Sequence, residues 1–231
     1  MRAAQLIRTE ELHMIHPAPK PARQDTAASS PEARADIVLA VSEALARSIG
    51  APADLDSILD RSGYSKKDIL SAFESIDDLI VTIAEHKASL ISQPLVRSAR
   101  PGTVDDACET LVAFGRVAWK EYSTTLVGFI RMIMTEGARN PALKKRVHEA
   151  GQVMVTLKLQ EFLSAANERG ILSVSDAQLY AEQLLGLLRE PLYQALMLSP
   201  ALRREEAAAD RVRASVESFI HGCGSTRSNT R

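Results

Sequence analysis

Residues 55–79, with the sequence LDSILDRSGYSKKDILSAFESIDDL, limit the fold of this chain more than any other segment. Two short segments with apolar stripes flank residues 62–64. Gly63 suits the left-handed backbone that a tight turn requires, and Ser65 followed three residues later by Asp68 is the pattern of a helix capping box. The spacing therefore predicts two helices joined by a tight turn, which is the geometry of a helix-turn-helix.

Helical periodicity continues over most of the chain after the first thirty or so residues. Further helices are predicted at residues 33–50, 77–92, 105–122, 124–138, 141–169, 176–198 and 203–220. No segment shows the alternation of period two that is expected of a strand. The helix at 77–92 is expected to end before Pro94, because the residue before a proline disfavours helical backbone. The predicted fold class is all-α.

Composition and breaks divide the chain into four predicted parts. Residues 1–31 are rich in proline and serine and are expected to form a disordered arm, and residues 223–231 a flexible tail. Pro94, Pro101 and Gly102 separate a small helical unit at 32–92 from a larger one at 103–222. No window approaches the roughly 18 unbroken apolar residues of a spanning helix, so no membrane association is expected.

Charge and cysteine content exclude several function classes. The 28 Lys and Arg residues nearly balance 29 Asp and Glu, so any nucleic-acid site must be local. Two cysteines are too few for a disulfide framework or a four-ligand zinc site, which fits a reducing cytoplasm. His13 with His16, and His221 with Cys223, are better interpreted as chance residues of the arm and the tail than as metal ligands. No catalytic order of residues is visible, so neither an enzyme nor a cofactor is expected.

The order of a three-helix unit, a bridging fourth helix and an all-helical C-terminal domain resembles the TetR family of transcriptional regulators. The residues that match the helix-turn-helix pattern of that family are Ile58, Gly63, Ser65, Lys66, Phe73, Ser75 and Leu79. Residues 129–151 and 168–172 are similar to the ligand-binding and dimerisation half of one TetR subgroup. The resemblance implies a ligand-responsive regulator, usually a repressor, that binds operator DNA as a homodimer.

The resemblance also implies a two-fold four-helix interface formed by the last two long helices. These helices, at 176–198 and 203–220, carry more leucine and valine than packing against their own core requires. A two-fold dimer would place two recognition helices about one helical turn of DNA apart, roughly 34 Å.

The chain departs from the family at positions that hold DNA phosphates. Leu70 and Ala72 stand where the family usually has Tyr and His, and Ile76 stands where it has Lys. Between Glu32 and Lys87 there are six basic and eleven acidic residues, which gives this segment a net charge of −5. Lysine and arginine ties to phosphates supply most of the sequence-independent binding energy, so this helix-turn-helix is degenerate.

Five residues are the DNA-binding candidates: Ser65, Lys66, Lys67, Ser71 and Arg34. Lys66 and Lys67 stand at the start of the predicted recognition helix, where side chains reach the major groove and the helix dipole favours anions. Lys20 and Arg23 of the arm could follow a groove. Two alternatives remain. The two lysines form an ordinary solvated face, or the acidic N-terminal unit at 32–92, called the head below, has lost DNA binding and binds a protein partner.

The apolar helices in the middle of the chain hold the candidates for a small-molecule site. The resemblance implies a pocket for an apolar effector, and the candidate ligand-binding residues are Trp119, Tyr122, Phe129, Arg131 and Met134. A mostly apolar cavity with few polar anchors is what such a site needs. The alternative is that the aromatic residues pack in the core and that Arg131 extends to the surface.

Overall fold

The computed structural model of the protein describes residues 30–48, 54–197 and 208–223. These residues form ten α-helices and one π-helical turn: α1 (Pro31–Arg47), α2 (Leu55–Ser62), α3 (Lys66–Ala72), α4 (Ile76–Arg97), α5 (Val104–Ser123), α6 (Thr125–Gly137), α7 (Pro141–His148), π1 (Glu149–Val153), α8 (Met154–Glu168), α9 (Ala177–Met197) and α10 (Ala208–Cys223). The described residues contain no β-strand, and the predicted all-α class is confirmed. The predicted arm, apart from residues 30 and 31, and the tail after residue 223 lie outside the described residues.

Local hydrogen bonds fix the helix-turn-helix as the sequence predicts. Gly63 has φ 76° and ψ 14°, the left-handed conformation that ends α2. The capping box forms at the start of α3: the Asp68 backbone N–H donates to Ser65 Oγ, and the Ser65 backbone N–H donates to Asp68 Oδ2. Two orphan backbone donors are satisfied in this way, so the turn and the start of α3 are set by local sequence.

Two helices differ from the prediction. Helix α4 does not end before Pro94 but continues through it to Arg97. Pro94 lies in the last turn of α4, where its missing backbone donor disturbs little of the helix. Burial of Leu95 in the C-terminal hydrophobic core favours continuation of the helix past Pro94. The long helix predicted at 141–169 is interrupted by π1, and Gly170, with φ 68°, follows its end.

The described helices bury two hydrophobic cores. The head core joins α1 to α4 with side chains of α6 and α7, and the body core joins the second half of α4 with α5, α8, α9 and α10. Helix α4 serves both, since Leu79 to Ala84 pack in the head and Ala88, Ile91 and Leu95 in the body. The domain limits at 32–92 and 103–222 stay a prediction. Among the described helices, none is long and apolar enough to cross a membrane.

Helix α6 approaches the first helix of the head very closely. A Cβ added at Gly128 would overlap the backbone carbonyl oxygen of Leu45 in α1. Met132, one turn later in α6, is fully buried in the head core. Glycine is needed here because a backbone atom cannot move aside as a flexible side chain can.

The contact between α6 and α1 can be tested with Gly128→Ala. Helix propensity alone would stabilise this variant by up to about 1 kcal/mol. Steric overlap with the Leu45 carbonyl reverses the sign, and we expect a loss of about 1–3 kcal/mol in the free energy of unfolding, measured by urea titration. Ala113→Ser, on the exposed face of α5, is the control and should stay within about 0.5 kcal/mol of the parent protein. A stabilised Gly128→Ala variant would contradict the close approach.

Candidate functional site

Helix α3 exposes a broad, mostly polar face and buries its other side. Ile69 and Ala72 are buried in the head core, whereas Lys66, Lys67, Leu70 and Ser71 are exposed. Leu70 is 54% exposed and adds an apolar side chain to this face. The exposed set includes three of the five predicted DNA-binding residues, all on one surface.

Intramolecular contacts already occupy several of these side chains. Lys66 Nζ lies 2.8 Å from Asp56 Oδ1 of α2. The hydrogen bond and the charge of Asp56 raise the pKa of Lys66. Ser65 Oγ donates to Asp68 Oδ2 at 2.7 Å, and Ser71 Oγ donates to the Asp68 carbonyl oxygen at 2.6 Å. A phosphate would therefore have to compete with Asp56 for Lys66.

Arg34, the fifth candidate, makes its contacts with other residues of the head. Its Nη1 donates to the Ala72 carbonyl oxygen at 2.7 Å, at the C-terminal end of α3. The guanidinium lies 4.2 Å from the centroid of the Phe73 ring, and its Nη2 is 3.7 Å from Asp78 of α4. A cation at a helix C-terminus is favourable because of the helix dipole. Arg34 thus fastens α3 to α1 and α4.

The negative charge of the head has structural uses. Asp54 caps α2 by accepting from the Ser57 backbone N–H at 2.9 Å, and Asp68 completes the capping box of α3. Asp77 accepts from Asn140 Nδ2 at 2.8 Å, which ties the start of α4 to the turn before α7. Acidic groups at helix N-termini satisfy orphan backbone donors and complement the dipole. Much of the −5 charge therefore serves folding.

A cavity of about 630 Å³ lies between the two cores. Its lining residues are Ala84, Lys87, Ala88, Ile91, Tyr122, Leu126, Phe129, Ile130, Arg131, Ile133, Met134, Lys144, Val147, His148, Gly151, Gln152, Val155, Arg189 and Tyr193. Ala84, Phe129, Ile133 and Val147 belong both to this lining and to the head core. The wall of the cavity is thus also part of the support of the head.

Four of the five predicted ligand-binding residues line this cavity. Tyr122, Phe129, Arg131 and Met134 come together there, from α5 and α6. Trp119 does not: it lines a second cavity of about 380 Å³ with Ala209 and Val212. The difference arises because Trp119 lies one turn before Tyr122, where α10 rather than α4 packs against α5.

Two groups of polar residues at the cavity were missed by the sequence reasoning. Lys87 Nζ lies 3.1 Å from Glu121 Oε2, and both side chains are more than nine-tenths buried. Glu121 Oε2 makes no well-directed hydrogen bond, so the Lys87–Glu121 pair is held mainly by charge attraction. In the sequence, Lys87 lies four residues after Ile83 and four before Ile91, within an apolar stripe. A lysine at such a position could have indicated a buried partner of opposite charge.

The second group contains Arg189 and Gln152, which lie beside the predicted Tyr122. With the Gln152 amide oriented to satisfy both groups, its oxygen lies 3.2 and 3.3 Å from the Arg189 Nη atoms. Burial raises the pKa of Tyr122, and the neighbouring Arg189 opposes that rise. The phenol is therefore neutral near pH 7. No sequence pattern indicated Gln152, because π1 changes the helical register that places it at the cavity.

Replacing Arg34 tests whether it supports the head rather than DNA. Arg34→Met removes the hydrogen bond to Ala72 and the contact with the Phe73 ring, and we expect a loss of about 1–3 kcal/mol in the free energy of unfolding. Arg97→Met, on the exposed C-terminal turn of α4, is the control and should change stability by less than about 0.5 kcal/mol. Unchanged thermal unfolding of Arg34→Met would contradict the assignment.

Comparison with solved structures shows the same fold in several bacterial proteins. A protein described as a TetR-family transcriptional regulator from Mesorhizobium loti has a TM-score of 0.64 at 20% identity, with 83% of this chain and 96% of that chain covered. SmeT, the repressor of the Stenotrophomonas maltophilia multidrug efflux pump SmeDEF, has a TM-score of 0.55 at 16% identity, covering 88% and 94%. The flavonoid-responsive regulator FrrA has a TM-score of 0.55 at 24% identity, covering 85% and 100%.

Sequence comparison with known families gives one match. The profile described as the C-terminal domain of AefR-like transcriptional repressors, a TetR C-terminal domain, matches residues 109–222. No protein with a curated description matches the chain. The family profile covers the body, and the shared fold extends over the head and its helix-turn-helix. The body of the chain is a C-terminal domain of the TetR family, and the described chain has the fold of the regulators of that family.

Proposed function

We propose that this regulator is a cytoplasmic repressor that binds operator DNA as a homodimer and responds to a small molecule held between its two cores. One observation carries the proposal: Ala84, Phe129, Ile133 and Val147 line the cavity and pack in the head core at the same time. A ligand that moves these side chains must also change the packing of the head. Such differential contact is what couples two sites energetically.

Helix α6 is the best candidate for transmitting ligand binding to the head. Ile130, Arg131 and Met134 line the cavity, while Met132 is buried in the head core. Gly128 lies against the Leu45 backbone, so a shift of α6 is passed directly to α1. Close-packed interfaces switch between discrete arrangements rather than deform continuously. Filling the cavity would therefore change the separation of the two heads in a dimer.

Helix α3 is proposed as the recognition helix. Lys66, Lys67 and Ser71 would contact phosphates or base edges, as would Ser65, which caps the helix beside them. The exposed Leu70 offers an apolar surface for a thymine methyl group. Arg34 contributes indirectly, by holding α3 in place through its bond to the Ala72 carbonyl oxygen.

The outward face of α9 supports the homodimer. Leu179 and Gly186 are seven residues apart, so they lie on one side of the helix with Leu187, and all three are exposed in a single chain. An added Cβ at Gly186 would meet no atom within 4 Å. A glycine in a helix interior costs about 1 kcal/mol relative to alanine, which close approach of a second helix would offset. A second copy of this chain is the proposed occupant.

Two structural relatives support a ligand-responsive repressor. SmeT is a repressor of a multidrug efflux pump, and FrrA is responsive to flavonoids. Both names describe regulators whose signals or targets concern small organic molecules. A cavity of about 630 Å³ is within the range of about 300–1,000 Å³ that holds such ligands.

DNA binding can be tested through the Lys66–Asp56 pair. Fluorescence anisotropy against DNA fragments from the neighbourhood of its gene, from low to physiological salt, should give salt-sensitive and sequence-selective binding. Lys66→Ala should lower the affinity about threefold to tenfold and reduce the salt slope by about 1. Asp56→Asn should raise the affinity, because it releases Lys66 and removes a charge that repels phosphate.

The Lys158–Glu161 pair of α8 provides a matched control, since its two charged atoms are also 2.8 Å apart on an exposed surface. Lys158→Ala and Glu161→Gln should leave the affinity for DNA unchanged. No binding by the parent protein even at low salt would reject the operator proposal. It would favour the second candidate, in which the acidic head, with exposed Asp60 and Glu74, binds a basic protein partner.

The dimer can be tested with Leu187→Glu. A carboxylate on the proposed interface would have to lose its hydration, so we expect the dimer dissociation constant to rise by at least about a hundredfold. Light scattering coupled to size-exclusion chromatography measures this as a shift from dimer to monomer mass. Leu39→Glu on α1 is the control, because Leu39 is 50% exposed and Leu187 is 49% exposed. Equal masses for both variants would place the interface elsewhere.

A further inference from the structure

The charged residues that line the cavity are basic, and Glu121, which pairs with the lining residue Lys87, lies outside this lining. The basic residues in its lining are Lys87, Arg131, Lys144, His148 and Arg189, and the described lining contains no aspartate or glutamate. The chain as a whole has a net charge of −1, so this local excess is not a consequence of overall composition. An apolar cavity with cations at its margin has a clear preference among ligand charges, because Coulomb interactions strengthen where water is excluded.

Arg189 is the cation best placed to contact a ligand. Among the described residues it has no carboxylate partner, and the neutral Gln152 oxygen lies 3.2 and 3.3 Å from its Nη atoms. Tyr122, which is 7% exposed, stands beside it as a neutral phenol. A guanidinium retains further N–H donors after one amide contact, and their geometry matches a carboxylate.

The other cations have distinct positions. Lys87 is neutralised by Glu121 and contributes little net field. Lys144 is exposed at the α7 side, where its stem lies against α6: a Cβ added at Gly137 would be 3.1–3.4 Å from Lys144 Cβ, Cγ and Cδ. Absence of a side chain at Gly137 thus leaves room for Lys144 at the margin of the cavity.

Apart from Tyr193, the rest of the lining is apolar and comes from five elements, α4, α6, α7, π1 and α8. Ile91, Leu126, Phe129, Ile130 and Val155 form its wall, and they offer no hydrogen bonds to a polar ligand body. We propose that the cavity binds an amphipathic small molecule with a single acidic group on an apolar body, whose acidic group pairs with Arg189 beside Gln152 and Tyr122. This inference rests on the proposed function only in taking the cavity as the effector site.

Isothermal titration calorimetry on the full chain with decanoate, decanol and decylammonium tests the ligand class, because the three probes share one apolar body. Decanoate should bind at least about tenfold more tightly than decanol, and decylammonium more weakly than either, as charge-assisted hydrogen bonds predict. Arg189→Gln should lower the affinity for decanoate at least about tenfold and change that for decanol less than about twofold.

Arg116→Gln, in α5 but outside this cavity, is the matched control and should leave all three affinities unchanged. Lys144→Gln, on the exposed margin, is a second variant in case Arg189→Gln unfolds, and it should weaken decanoate binding severalfold. Equal or tighter binding of decanol, or no binding of any probe, overturns the proposed ligand class. The DNA titration decides separately whether the protein is an operator-binding regulator.

Discussion

Helix α4 is the constraint on which the rest of the structure depends, because both hydrophobic cores need it. Its first half packs in the head and its second half in the body. Lys87 lies where the two halves meet, paired with Glu121 of α5 in a buried site. Loss of one partner from such a pair typically costs about 3–5 kcal/mol, because the other charge stays buried without compensation. Head, body and cavity therefore cannot rearrange independently.

The acidity of the head has a physical explanation once its contacts are known. Asp54 and Asp68 cap α2 and α3, and Asp77 and Asp78 join the start of α4 to Asn140 and Arg34. Short helices are marginal without such caps, since few of their backbone groups are satisfied internally. The same carboxylates lower the electrostatic potential around α3, the proposed recognition helix. Stability of the small head and attraction for phosphate are thus opposed in this sequence.

The elements set by local sequence could be predicted, and those set by distant packing could not. The turn at Gly63 and the capping box of Ser65 follow from neighbouring residues. The course of α4 through Pro94 depends on burial of Leu95 in the body core, and π1 depends on packing of α7 and α8 against α4. Four ligand-site candidates share the main cavity while Trp119 does not, because adjacent turns of α5 pack against different helices.

Weak electrostatic attraction in the head makes the proposed regulation easier to achieve. If each head holds DNA through few phosphate contacts, the second head of a dimer supplies much of the affinity by raising the effective concentration. That gain vanishes when the two heads no longer match the spacing of the operator. A coupling free energy of about 1–3 kcal/mol, typical of allosteric proteins, would then be enough to release the DNA. The side chains shared by the cavity and the head core are where that coupling would arise.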